Sequence, residues 1–309
     1  MDITRRRFVQ LGAVAAAVSP LLRGGAAGAQ AGGLSWLVPR YGTYSSLVNT
    51  TLGGSPAVAA SAFNQGTTWF SMVYEGAGPS TKNPVPAGYT GTAVLKFEAY
   101  QNGSTGLVDA ISAGLPSWVQ AVQYDAESWS QTPAIEQGAW LYNSFAGVSY
   151  AQLFCQTAHA HGLRAVLTPG NDLCNNNANS AYPGGAPQYP LESGETDYEA
   201  YLRYGLASAA QWLAPGDVYE YQAQVLELDP STYQSVIASV AQQVGAVSAG
   251  VTVLAGIGRT GSTSDGATSA QLAAAAGSVE AIAAGFWPNV DADATRVQAM
   301  IGFLEDLGY

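Results

Sequence analysis

A chain of 309 residues with a formal net charge of −11, 48% of it apolar, is long enough for one large folded domain. Its acidity repels nucleic acid and anionic membrane surfaces, so neither is an expected partner. Two histidines and two cysteines are the whole supply of imidazole and thiolate ligands, and His159 and His161, at i and i+2, point to different sides of a helix, so a zinc site of three or four ligands is not expected, nor any cofactor.

The N-terminus reads Thr4-Arg5-Arg6-Arg7-Phe8-Val9-Gln10, followed by an apolar stretch over 11–22 and small residues ending in Ala29-Gln30-Ala31. This resembles a twin-arginine export signal with a small-x-small cleavage site. The apolar stretch is too short to span about 30 Å of hydrocarbon. Residues 1–31 are therefore expected to be a signal peptide, and 32–309 the folded domain. The protein is expected to be secreted or periplasmic, to leave the membrane once the signal is removed, and to act as a monomer.

From there the chain alternates between two hydrophobic periods. Apolar runs at 34–38, 68–73, 93–99, 118–124, 164–167, 218–223, 251–255 and 281–286 favour strands. Helical patterns fall between most of them, at 106–112, 150–161, 198–213, 230–247 and 269–277, and a last one at 294–307 closes the chain. Residues 41–64 show little helical periodicity. Strands alternating with helices imply parallel pairing through right-handed crossovers. Eight of them predict an α/β chain folded as a single (β/α)8 TIM barrel. The alternative, an open doubly wound sheet, normally shows a glycine-rich turn after its first strand, and no G-x-G-x-x-G follows Val38.

His159 and His161 lie just before Gly162, where a helix end is expected and a partly cationic ring suits the dipole. Cys155 and Cys174 flank one helix-to-strand connection. In an oxidising compartment they are expected to form a disulfide, with a free buried pair as the alternative.

A barrel of this kind places its active site at the C-terminal ends of the strands. Those ends offer Arg40, Glu75, Glu98, Asp125, Glu127, Asn171, Asp172, Gln222, Gln224, Arg259, Trp287 and Asn289. Alternation of side chains puts Gln123, Asp125 and Glu127 on one face of the fourth strand, with Val122 and Tyr124 turned toward the helices. The two acids should lie roughly 6 to 7 Å apart along the backbone. Glu220, Gln222 and Gln224 share a face of the sixth strand, opposite Tyr219 and Tyr221. Amides, carboxylates and a tryptophan converging on one mouth suit a polyhydroxylated ring: amides bridge hydroxyls, and an indole offers a flat face to sugar C–H groups.

The stretch Gln123-Tyr124-Asp125-Ala126-Glu127 resembles the fourth strand of chitinase-like glycoside hydrolases, barrel enzymes in which that strand ends in D-x-x-D-x-D-x-E. The resemblance places Glu127 on the general acid and Asp125 on the neighbouring Asp that assists substrate participation. Gln123 departs from the pattern, standing where an earlier Asp belongs. Trp287 matches the family's eighth-strand tryptophan, whereas Gln222 and Gln224 occupy the region of its sixth-strand tyrosine.

The resemblance and the paired acids together predict a secreted glycoside hydrolase acting on a polysaccharide or amino-sugar glycan. Like-charge repulsion from Asp125 would keep Glu127 protonated near neutrality. The second group is then either the substrate's own N-acetyl carbonyl or a carboxylate from another strand, Glu75, Glu98 or Asp172. A non-catalytic, lectin-like barrel is the alternative. A third reading makes Asp125 and Glu127 a structural pair bridged to Arg164 or Arg203. No G-x-S-x-G elbow points to serine hydrolase chemistry.

Overall fold

The computed structural model describes residues 33–74, 83–102, 105–144, 146–174, 188–259 and 267–309. Eight parallel strands close into a barrel in sequence order. They are β1 (Ser35–Pro39), β2 (Thr68–Val73), β3 (Thr92–Phe97), β4 (Ala121–Tyr124), β5 (Arg164–Leu167), β6 (Val218–Tyr221), β7 (Thr252–Arg259) and β8 (Gly285–Val290). The fold is the (β/α)8 barrel that the alternation predicts. Around it run α1 (Pro56–Phe63), α2 (Leu107–Ala113), α3 (Ala134–Gly138), α4 (Tyr150–Ala160), α5 (Asp197–Tyr204), α6 (Pro230–Val247), α7 (Ser269–Val279) and α8 (Ala294–Asp306).

Local chemistry sets the helix starts. Ser55 caps α1 ahead of a proline at the first helical position, and Asp229 does the same for α6. Thr196 with Glu199 and Thr268 with Gln271 form reciprocal capping boxes on α5 and α7. Where the helical reading over 198–213 differs, a glycine explains it. Gly205, at φ 65°, ends α5, and a 3-10 helix continues over Leu206–Trp212. The stretch 41–64 is helical after all, but in short pieces of changing pitch that carry no single period: a π-helical turn at Arg40–Tyr44, one α-turn, a 3-10 turn and α1.

The eighth strand starts later than its apolar run. Ile282 and Ala283 still bond back to Val279 at the end of α7, so pairing begins at Gly285. That residue sits on the closing seam, opposite Ser35. A Cβ there would run into the Ser35 backbone, so glycine is what lets β1 and β8 meet.

Side chains alternate between two cores. Trp36, Val38, Phe70, Tyr124, Tyr219 and Tyr221 face the helices. Leu37, Trp69, Val94, Ala121, Val166, Val218, Leu254 and Trp287 fill the barrel interior. Inward-facing positions nearer the C-terminal ends turn polar, and there the apolar plug gives way to Ser71, Lys96, Gln123, Thr168 and Glu220.

The expected disulfide is absent: Cys155 and Cys174 are separate buried thiols. Cys155, on the inner face of α4, feels Asp217 near the N-terminal ends of the strands. Cys174 closes the turn after β5 and feels Asp197 and Asp172 near the C-terminal ends. The connection they flank crosses the barrel from one end to the other, which keeps them apart. His159 and His161 do end α4.

Candidate functional site

The polar layer is built around Asp125, the first residue beyond β4, whose N–H extends the ladder to Phe97 O at 2.8 Å. Its carboxylate is 1% exposed and draws on three other strands. Lys96 Nζ lies 2.5 Å from Oδ2. Thr168 Oγ1 and Gln222 Nε2 reach Oδ1 at 3.1 and 2.8 Å. Beneath it, Gln123 accepts from the Ser71 hydroxyl at 2.6 Å and donates to Thr168 Oγ1 at 3.1 Å. The amide at position 123 thus ties β2 and β5 to β4 by hydrogen bonds.

Lys96 is the cation that the sequence reading overlooked; Arg164 and Arg203 are engaged elsewhere. Arg164 bonds Thr92 and lies over Trp69, and Arg203 pairs with Glu195. Burial works to lower the lysine's pKa, but attraction to Asp125, then to Glu98 (3.4 Å away) and Glu127, prevails and pushes it up to about 12. A lysine held so firmly as ammonium is a fixed charge, not a free amine able to form a Schiff base. The signal for it was present: an inward-parity lysine in the otherwise apolar run of β3.

Glu127 stands two residues beyond Asp125, half-buried. Burial first, then repulsion from Asp125 and Asp172, pushes its carboxyl up to about 8, against a hydrogen bond from Gln222 and attraction to Lys96. The loop that presents it is pinned on both sides. Thr132 Oγ1 accepts from Glu127 N at 3.3 Å and from the Trp129 indole at 3.1 Å, and donates to Glu98 O at 2.7 Å. Gln137, from α3, reaches the carbonyls of Trp129 and Thr132. Asp172 receives Ser128 N on both oxygens at 3.1 Å. Burial pushes Asp172 up to about 6. Gly170 makes this approach feasible, because a Cβ there would strike Asp172 Oδ1 and come within 3.0 Å of Glu127 Cγ.

Below the pair, Glu220 is fully buried, and neither of its oxygens has a hydrogen-bond partner among the described residues. Burial, then Asp125 and Glu127, holds it well above the ordinary carboxylate range. The network therefore carries one carboxylate paired with a lysine, Asp125, beside two carboxyls, Glu127 and Glu220, that favour the protonated form.

Asp125, Glu127 and Gln222 come together as the parity predicts, and Glu98 joins them through Lys96. Gln224 is half-buried beyond them, its Oε1 converging with Glu220 Oε1 on Gly256, where a Cβ would lie 2.9 Å from each. Compared with known proteins, the chain matches no family model and no curated protein.

Other expected residues stand apart. Trp287 is no open platform for a sugar: it is 7% exposed and packs in the apolar layer with Trp69 and Leu254, so it forms floor. The tryptophan at the mouth is Trp129, its ring centroid 5.5 Å from Lys96 Nζ. Arg40 turns toward the helices, its guanidinium 4.7 Å from the Tyr44 ring and 5.5 Å from that of Tyr41. Asn171 interacts with Tyr221, on the outer side. Asn289, half-buried, is the penultimate residue of β8, across the barrel from β4. Glu75 and the Arg259 side chain lie outside the described residues.

Proposed function

We propose that the protein is an exported glycoside hydrolase acting on a polysaccharide or amino-sugar glycan, with Glu127 as general acid and Asp125 as its lysine-paired partner. The observation that carries this reading is the asymmetry of the two acids. Asp125 is hydrogen-bonded by Lys96, Thr168 and Gln222, while Glu127 is desolvated and raised to about 8. Carboxyls in contrasting environments take different roles in glycoside cleavage. Protonated Glu127 gives its proton to the leaving oxygen as the C–O bond breaks. Positive charge then develops at the anomeric carbon, where the Asp125 carboxylate favours it. Water completes the hydrolysis: its hydroxyl goes to the anomeric carbon and its proton restores Glu127.

Lys96 and the Thr168–Gln123 chain take the place of a third strand-four carboxylate in fixing Asp125. The attacking group is then the substrate's own N-acetyl carbonyl or Asp172, whose carboxyl shares the Gly170 gap with Glu127. The N-terminal arginine motif supports export.

The test is turnover of chitin, peptidoglycan fragments, galactosaminoglycans and plain glucans by residues 32–309, alongside Glu127→Gln. Product formation that collapses in the variant is the expected result. Turnover undiminished in Glu127→Gln would remove the acid assignment, and glycan binding with no product from any polymer would make the protein a lectin.

A further inference from the structure

The end of β6 holds a buried carboxylate that the proposed chemistry does not use. Glu227 lies in the 3-10 turn Leu226–Leu228 and has no exposed surface. Its Oε2 accepts the N–H of Val225, and its Oε1 accepts the N–H of Gly258 on β7 at 3.3 Å. One side chain thus joins the terminus of β6 to the neighbouring strand.

Val225 is the residue under load. At φ 114° and ψ −22°, it is the one non-glycine residue with positive φ among the described residues, and its side chain is β-branched. Such a conformation is costly for valine and persists only where its surroundings impose it. Gln224 precedes it directly, and Gln222, three residues upstream, donates to Asp125 and to Thr168 O at 2.8 and 3.0 Å. On the facing strand, a Cβ at Gly256 would meet Ala223 N and Gln224 Oε1, and one at Gly258 would meet the Asn289 backbone. The kinked segment therefore lies against the β7 backbone at Gly256.

We propose that Glu227 is a positioning residue: by bridging Val225 N and Gly258 N it holds the kink that keeps Gln222 turned toward Asp125 and Glu127 and Gln224 beside Glu220. The proposal rests on the glycosidase reading only in naming the carboxyls these amides serve. Released from Glu227, Val225 would return to negative φ and carry the preceding peptides with it. The surroundings leave the carboxyl few other partners. From α6 it faces Tyr233, whose hydroxyl donates to Gly256 O at 3.0 Å; Glu220 shares that environment from β6, and α7 carries no titratable residue.

The readout is NMR of the Gln222 side-chain amide together with the backbone amides of Val225 and Gly258, none of which requires turnover. Glu227→Gln is expected to raise Gln222 side-chain exchange at least tenfold. Adding Val225→Gly, which makes positive φ free of strain, is expected to restore most of the protection. On any glycan that is cleaved, kcat should fall in Glu227→Gln and recover in the double variant, with KM changing less. Should Glu227→Gln not fold, the wild-type protein carries the test: the three amide signals should titrate together, with a midpoint near 7. The idea is overturned by unchanged Gln222 exchange in Glu227→Gln, by a double variant that regains thermal stability but not Gln222 protection, or by independent titration of the three signals. Absence of activity on every glycan would instead remove the glycosidase reading and leave these amide results standing.

Discussion

Two sets of buried carboxylates in this barrel are treated in opposite ways. At the N-terminal end Asp217 is 1% exposed and completely engaged: Ala165 N and Ala214 N donate to it at 3.0 and 2.8 Å, and His159 Nε2 lies 2.8 Å away. Glu136, behind the mouth, is similarly engaged by Tyr100 N, Gln101 N and the Tyr124 hydroxyl. These acids staple loops to strands. At the C-terminal mouth Glu127 and Glu220 are desolvated among other carboxyls, and Glu220 has no partner at all among the described residues. Burial without compensation costs stability, so an acid kept in that state is a candidate for chemistry, whereas Asp217 and Glu136 hold architecture.

Substitutions sharpen this contrast, and the largest effect falls on rate. Glu127→Gln is expected to lower turnover by about 10²- to 10⁴-fold, the usual worth of a positioned general acid, with thermal unfolding little changed. A large loss of melting temperature would move Glu127 into the architectural class. Lys96→Met strips Asp125 of its cation and should damage both properties. Removing one partner of a buried pair costs about 3 to 5 kcal/mol, read by urea unfolding, and activity should fall with it. Retained stability would mean that Lys96 does not hold Asp125.

Asp217→Asn is the counterpart at the other end. It should lower stability by about 1 to 3 kcal/mol through poorly satisfied amides and leave kcat unchanged.

Acidity offers a gentler probe. Glu127, Glu227 and Asp172 are raised by burial to about 8, 7 and 6. Each is protonated in the folded chain over a range where the unfolded chain has already ionised. Their stabilising contribution is therefore complete below the ordinary carboxylate values of about 4 and is lost as pH rises through the folded ones. The urea midpoint should fall between about pH 4 and about pH 8, less steeply in Glu127→Gln, and turnover should decline above about pH 8 as the acid loses its proton. A midpoint that rises over this window would contradict the assignment. The smallest effect belongs to the cysteines: with both thiols free, a reducing agent should leave the melting temperature where it is.

The pattern of apolar runs was enough to name the barrel, and alternation along β4 and β6 correctly sorted Gln123, Asp125 and Gln222 from Tyr124, Tyr219 and Tyr221. Three things were not legible. Lys96 stood out as an inward lysine in an apolar strand, but its partner did not, because Asp125 reaches it from the adjacent strand. Trp287 had the right parity but the wrong depth, since depth depends on how strands are staggered around the closed sheet. The cysteines were close in sequence, yet a β/α connection runs the length of the barrel.

The chain by itself determined periodicity, caps and which face each strand residue takes, because these follow from backbone geometry over a few residues. Only the closed barrel decided which charges meet. The Lys96–Asp125 pair, the gap at Gly170 shared by Glu127 and Asp172, and the unpartnered Glu220 arise from strands distant in sequence brought side by side. Burial there removes the water that would otherwise level their charges.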